Sequence, residues 1–134
     1  MQILLNIDVD DLSRGSNFYC DAFGLHEGRR LGTDVVEILG GSIPIFLKQR
    51  DPGAWPINSK KNINSYDRHW TPVHMDVVVE ELLLAIERVV DTGGQMNGNI
   101  QKRKWGIKAS LSDPFGNSYY LMQFNKGGSA AADL

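Results

Sequence analysis

The sequence lacks most of the features that mark secreted, membrane or nucleic-acid-binding proteins. Its single cysteine, Cys20, excludes an intrachain disulfide and a cysteine-rich zinc site, and we expect it to be an ordinary packed residue. No run of about 18 apolar residues is present, the length that a membrane-spanning helix needs. The 14 Lys and Arg residues against 16 Asp and Glu residues leave a net charge of −2, which argues against a nucleic-acid binder that depends on bulk positive charge.

The sequence also contains no recognisable glycine-rich phosphate loop and no Ser-His-Asp arrangement for nucleophilic catalysis. Residues 1–8 lack the basic start and the long apolar core of a signal peptide, so we expect a cytoplasmic protein with no membrane or nucleic-acid partner. What is present is an ordinary globular composition, with 42% hydrophobic and 22% charged residues in a chain of 134. This length suits a single domain with one core.

Strand and helix patterns alternate in the first 50 residues. Asp10 and Asp11 are candidate helix N-caps, Gly24 is a candidate left-handed C-cap, and Gly40-Gly41 is a hairpin turn signal. The predicted elements of this half are a strand at 3–9, a helix at 12–23, and strands at 26–31, 34–39 and 42–48.

The same order of elements recurs after a shift of 70 residues. The predicted elements of the second half are a strand at 73–79, a helix at 80–91, and strands at 95–101, 107–112 and 118–124. The matched positions are Leu4 with His74, Ile7 with Val77, Val9 with Val79, Asp11 with Glu81, Leu12 with Leu82, and Gly24 with Gly94. Each half therefore predicts one β-α-β-β-β unit, and the chain as a whole an α+β fold.

These boundaries define a single domain over residues 1–125. Module one covers 1–50, a polar connector 51–70, and module two 71–125, while 126–134 is expected to be a flexible tail. The connector is long for a compact domain, which is typical of a lid or an interface segment.

Three groups of motifs cover nearly the whole chain as far as residue 124. They are 9–12 with 18–19 and 23–25, then 74–81 with Gly93-Gly94, then Trp105-Gly106 with 113–117. Their order and spacing resemble the vicinal oxygen chelate superfamily, which includes glyoxalase I, bleomycin-resistance proteins, fosfomycin-resistance enzymes and extradiol dioxygenases. The resemblance implies two βαβββ modules forming one curved mixed sheet around a central cavity. It also implies a homodimer, in some members with modules exchanged between chains.

Enzymes of this superfamily usually hold a divalent metal through side chains on the first and last strands of each module. By position, Leu4 and His74 stand at the two first-strand sites, and Tyr120 stands at the last-strand site of module two, where the metal enzymes usually have Glu. The last-strand site of module one has no definite register, but residues 42–47 contain no His, Asp or Glu. One imidazole is too little for a stable site, so we expect no metal cofactor.

Five residues are the expected ligand contacts by their positions: His74, Tyr120, Asn6, Phe46 and Trp105. The first three would supply directional hydrogen bonds, while Phe46 and Trp105 would supply flat apolar walls for a planar or aromatic ligand. Each also has an ordinary structural explanation. Tyr120, Phe46 and Trp105 would pack in the sheet or core, although the strand-entry position of Trp105 favours partial exposure. His74 would bond to a neighbouring side chain, and Asn6 would lie where the strand reaches water.

The predicted function is a metal-free small-molecule binder similar to the drug-sequestering, bleomycin-resistance members. The alternative is a lyase, isomerase or dioxygenase related to glyoxalase I, which would use a rearranged site or acid–base chemistry by His74. A third possibility is a structural or regulatory protein without a ligand, whose cavity is filled by its own side chains.

Overall fold

Both halves of the chain fold into the expected βαβββ units. The computed structural model describes residues 1–51, 67 and 74–126, so most of the predicted connector and tail lies outside the described residues. Module one contains β1 (Leu5–Val9), α1 (Leu12–Phe23), β2 (His26–Leu31), β3 (Val35–Leu39) and β4 (Ile45–Gln49). Module two contains β5 (Asp76–Val78), α2 (Leu82–Asp91), β6 (Gln95–Met96), β7 (Gln101–Arg103), β8 (Gly106–Ser112) and β9 (Ser118–Phe124).

The strand predicted at 95–101 is two short strands, β6 and β7. Gly98 between them has a φ of +96°, a backbone conformation that ends a strand. Both pieces still pair with β8, so the order of the module is unchanged.

Each module builds its own mixed sheet. The first has the strand order β1-β4-β3-β2, and the second has the order β5-β9-β8-β6, with β7 also paired to β8. In both sheets the first strand runs parallel to the last strand of its module, which a helical crossover makes possible. The expected curved sheet is therefore two sheets, of four and five strands, and together they remain open rather than closed. Within the described residues, β1 and β5 are edge strands.

The two helices pack against each other and against one face of each sheet. Alternate strand residues point into this layer, as Val9, Val36 and Leu47 do in module one and Leu111 and Leu121 in module two, all fully buried. They belong to one hydrophobic cluster that also contains residues of both helices. The two modules therefore share a single core.

A repeated hydrogen bond shows the duplication at atomic detail. The Leu12 N–H donates to Gln49 Oε1 at 2.8 Å, and the Leu82 N–H donates to Gln123 Oε1 at 2.7 Å. The first N–H groups of a helix have no acceptor within the helix, so an outside oxygen must satisfy them. In each module the last strand supplies that oxygen to the first residue of the helix.

The two helices are capped differently, although the repeat aligns their ends. Asp11 caps α1 by accepting from the Arg14 N–H at 2.9 Å, and Gly24 ends the helix in the left-handed conformation, as predicted. In module two the left-handed residue is Gly93, one residue before the position that matches Gly24. Neither α1 nor α2, nor any other helix in the described ranges, is long and apolar enough to cross a membrane.

Candidate ligand site

Each sheet has an open face, which we define as the face opposite the helices. Asn6 lies directly across from Phe46 on the first sheet, and Asp76 lies directly across from Tyr120 on the second. Since the shift of 70 residues places Asn6 on Asp76, the register identifies Phe46 as the counterpart of Tyr120. The last-strand position of module one, for which the sequence alone defined no register, is therefore Phe46.

The four first- and last-strand positions are thus Leu4, Phe46, His74 and Tyr120. Two of these side chains are hydrocarbons without a donor atom, and the other two supply one imidazole and one phenol. Within the ranges that the structure describes, no group of three or more His, Cys, Asp or Glu residues is placed to hold a metal ion. This set of donors does not fit a divalent metal, which needs several convergent nitrogen, oxygen or sulfur ligands.

Tyr120 is the centre of the open face of module two. The His74 ring meets it nearly edge-on, with 6.2 Å between ring centroids. The Lys108 Nζ lies 4.3 Å from the Tyr120 ring centroid, within the range of a cation–π interaction. Tyr120 is only partly buried, so the arrangement is an aromatic surface flanked by two nitrogen-bearing side chains.

A row of small polar groups continues this face toward the end of β8. Ser110 is directly across from Tyr120. The Asn97 Nδ2 donates to Ser112 Oγ at 2.8 Å, and the hydroxyls of Ser112 and Ser118 lie 3.1 Å apart. These bonds tie the residue after β6 to β8 and β9 beside the aromatic surface and hold the polar groups in place.

The carboxylates on the open face of module one are paired with arginines. Glu37, directly across from Phe46, accepts from Arg29 Nε at 3.2 Å and from Arg29 Nη2 at 3.1 Å. These hydrogen bonds hold the pKa of Glu37 below its usual value. Asp8, on β1, accepts from Arg50 Nε at 3.3 Å. The acidic charge of this face is therefore largely balanced within the module.

Trp105 is 8% exposed, so the expected partial exposure is wrong. Its ring packs on Phe124 with 5.4 Å between centroids. Phe124 follows Tyr120 and Met122 on the same face of β9, and Met122 and Trp105 are buried outside the main core cluster. Trp105 therefore packs on Phe124 at the end of β9, and its burial leaves little of its surface for a ligand.

The predicted contacts therefore form three groups. His74 lies beside Tyr120, Asn6 lies across from Phe46, and Trp105 packs on Phe124. Lys108 was missed as a site residue, although the alternation of apolar and polar residues at 107–112 places it on the same face as Ser110.

A separate cleft of about 810 Å³ lies between the modules on their helical side. Its walls come from the end of α1, the turn at 40–43, β5 and the start of α2. The lining is largely apolar, with Glu80, Glu81 and Arg88 among its charged members. None of the five predicted contacts is among the described residues that line it.

A buried polar cluster links α1 of module one to the turn between β8 and β9 of module two. The Tyr19 hydroxyl donates to the Asp113 carboxylate, which also accepts from the Phe115 N–H at 2.8 Å and the Asn117 N–H at 2.9 Å. Burial raises the pKa of Asp113, and the hydrogen bonds it accepts oppose that rise. The turn at 113–117 therefore connects α1 to the last hairpin.

Cys20 is a packed residue as expected, and burial raises the pKa of its thiol.

The paired modules and the open face define the class of this protein as glyoxalase-like. The family model described as a glyoxalase-like domain matches residues 4–122. The chain belongs to this family, and the resemblance to the vicinal oxygen chelate superfamily is confirmed. A comparison with curated protein sequences finds no match.

Three solved structures illustrate the range of similar proteins. A variant of the fosfomycin resistance protein FosX from Listeria monocytogenes, in complex with Mn(II) and 1S,2S-dihydroxypropylphosphonic acid, is 17% identical, with a TM-score of 0.69 over 93% of this chain and 90% of that chain. TnmS3, an antibiotic binding protein from a Streptomyces species, is 19% identical, with a TM-score of 0.64 over 93% and 96%. Lactoylglutathione lyase from Agrobacterium tumefaciens is 17% identical, with a TM-score of 0.61 over 92% of each chain. At these identities the likeness establishes the fold.

Proposed function

We propose that this protein binds a planar or aromatic small molecule on the open faces of its sheets, without a divalent metal, in the manner of the bleomycin-resistance type. The observation that carries the proposal is the set of side chains at the four first- and last-strand positions. Leu4 and Phe46 offer apolar surface, and Tyr120 offers a ring with a hydroxyl. Such a set favours aromatic burial over metal coordination.

The proposed contacts divide by chemistry. Tyr120 and Phe46 provide flat surfaces for stacking, while His74 and Asn6 provide hydrogen bonds that orient the ligand. Trp105 acts indirectly, since it supports Phe124 at the end of the face. TnmS3, an antibiotic binding protein, has the same fold, and this likeness supports sequestration as the activity.

We further propose that the protein is a cytoplasmic homodimer. Ile3 is 62% exposed, Leu4 47% and Val78 55%, and all three lie on or beside the edge strands β1 and β5. Edge strands and exposed apolar side chains favour association with another chain. A second copy would cover both edges and the adjoining cleft, and could bring further side chains to the open faces. Sedimentation of the purified protein at several concentrations tests this arrangement.

The test of metal-free binding combines metal analysis with a neutral planar probe, N-phenyl-1-naphthylamine. We expect protein purified without chelator to contain far less than one equivalent of Ni, Zn, Fe or Mn. We expect the fluorescence of the probe to rise on binding, and Tyr120→Leu to weaken its affinity about tenfold through loss of the ring. His26→Ala, at an exposed position of β2, is the control and should leave the affinity unchanged.

Near-stoichiometric metal that is lost in His74→Ala but kept in His26→Ala would overturn the metal-free proposal. Absence of probe binding by the wild-type protein would overturn the proposal that the ligand is planar. Turnover of a glyoxalase substrate that is lost in His74→Ala would instead establish the enzymatic alternative.

A further inference from the structure

We propose that Lys108 makes the site selective for aromatic anions, by pairing with an acidic group on a ligand that stacks on Tyr120. This inference rests on the proposed function and adds the charge of the ligand to it. The chemistry would suit a planar carboxylate, sulfonate or phenolate.

The position of Lys108 is determined by the sheet. Lys108 lies on β8 directly across from Met122 of β9 and from Gln101 of β7, one step along the open face from the Ser110–Tyr120 pair. Its ammonium is 4.3 Å from the centroid of the Tyr120 ring. A group stacked on the exposed part of that ring would therefore lie within reach of the ammonium.

The charge of Lys108 is not balanced by an ion pair within the described part of the chain. This contrasts with module one, where Arg29 balances Glu37 and Arg50 balances Asp8. Lys108 is partly buried, and its ammonium lies over the face of the Tyr120 ring. A partly desolvated ammonium gains more from an added anion than a fully solvated one does.

Two neighbours make the same place suitable for an anion. The His74 ring lies 6.2 Å from the Tyr120 ring, centroid to centroid, and its imidazole can donate a hydrogen bond, while Ser110 is directly across from Tyr120 in the sheet. Asp76, the carboxylate across from Tyr120 on the other side, is exposed to solvent. A ligand with its acidic group toward β8 would face Lys108 and Ser110 and keep that group away from Asp76.

The experiment compares two probes with the same ring system. 8-Anilinonaphthalene-1-sulfonate carries a sulfonate, and N-phenyl-1-naphthylamine is its neutral counterpart. We expect Lys108→Met to weaken the sulfonate about tenfold, the loss of one charge-assisted interaction, while Lys108→Arg changes its affinity less than about threefold. The affinity of the neutral probe should change less than about twofold in both variants.

Lys102→Met is the matched control, since Lys102 is exposed on β7 and pairs with Ile107, so its side chain points to the other face of the sheet. It removes the same net charge and should leave both affinities unchanged. An equal loss for the sulfonate in Lys102→Met would assign the effect to general charge and overturn the inference.

The failure of this inference differs from the failure of the proposed function. If the wild-type protein binds neither probe, the planar-ligand proposal fails, and this inference falls with it. If the neutral probe binds and Lys108→Met weakens both probes equally or neither, Lys108 is a packing partner of Tyr120 and the inference alone is overturned. Retained binding of the neutral probe by Lys108→Met also shows that the variant is folded.

Discussion

The two modules have the same scaffold and different surfaces. In both, the last strand supplies a glutamine oxygen to the first N–H of the helix, and the first strand runs parallel to the last. On the open face, however, Asn6 and Phe46 of module one correspond to Asp76 and Tyr120 of module two. Backbone pairing depends little on the residues of that face, so a duplicated unit can keep its fold while one copy acquires a different chemistry.

The modules also bury their carboxylates in different ways. Glu37 of module one is held by Arg29, whose side chain is 72% exposed, whereas Asp113 of module two is held by neutral donors inside the protein. The first arrangement balances charge near solvent, and the second satisfies hydrogen bonds in the core. We therefore expect the stability of module two to depend more strongly on Asp113 than that of module one depends on Glu37.

The largest expected effect is the loss of the Asp113 cluster. Asp113→Ala removes the acceptor of four hydrogen bonds and leaves the buried Tyr19 hydroxyl without that partner. We expect the free energy of unfolding to fall by about 3 kcal/mol, measured by chemical denaturation. Glu37→Ala should cost less, because its partner Arg29 can return to water. A larger loss in Glu37→Ala would reverse the proposed difference between the modules.

A smaller difference in stability is expected between alanine substitutions at Gly24 and Gly94, the two glycines that occupy matching positions in the repeat. A Cβ at Gly94 would lie 2.5 Å from Val89 Cγ1 and 2.8 Å from the Ser112 carbonyl oxygen, so Gly94→Ala should cost about 2–3 kcal/mol. At Gly24, where φ is +67°, a Cβ would meet nothing within 4 Å. Gly24→Ala should therefore cost only the conformational strain, about 1 kcal/mol. Equal denaturation midpoints for the two variants would contradict the packing explanation.

The two carboxylates should respond to pH in opposite directions. The folded pKa of Asp113 is raised by burial, so its contribution is most favourable at low pH and is lost as the pH rises through the folded pKa. The folded pKa of Glu37 is lowered by Arg29, so its contribution is present above the usual pKa and is lost as the pH falls through the lowered value.

Denaturation of Asp113→Asn and Glu37→Gln between about pH 3 and pH 6 measures these contributions. The stability advantage of the wild-type protein over Asp113→Asn should shrink as the pH rises. Its advantage over Glu37→Gln should grow over the same range. Parallel trends would show that one of the two pKa directions is wrong.

The smallest expected effect concerns the glutamine hydrogen bond that both modules share. Gln49→Ala and Gln123→Ala each remove the oxygen that accepts from the first N–H of a helix, and each should cost about 1 kcal/mol. The double variant should show the sum of the two losses, because the bonds lie in different modules. Losses that differ by more than about 1 kcal/mol would indicate that the duplicated bond has acquired a different importance in one copy.

Local patterns predicted most of the fold. The bounds of α1 and β9 agree with the structure residue for residue, because amphipathic periodicity, capping by Asp11 and the Gly24 end signal are local. The strand at 95–101 was predicted as continuous because Gly98 alone did not indicate how its backbone would turn. Trp105 was predicted to be partly exposed because its cover, Phe124, comes 19 residues later along the chain.

The sequence by itself determined the repeated βαβββ unit and the shortage of metal-ligating side chains at the expected first- and last-strand positions, since these depend on spacing and residue type alone. Only the tertiary structure decided that Phe46 is the counterpart of Tyr120, that Lys108 stands over that ring, and that Tyr19 bonds to Asp113. Tyr19 and Asp113 are 94 positions apart in the chain. The physical reason is that strand register and helix docking are set by the packing of the whole core, which no local pattern contains.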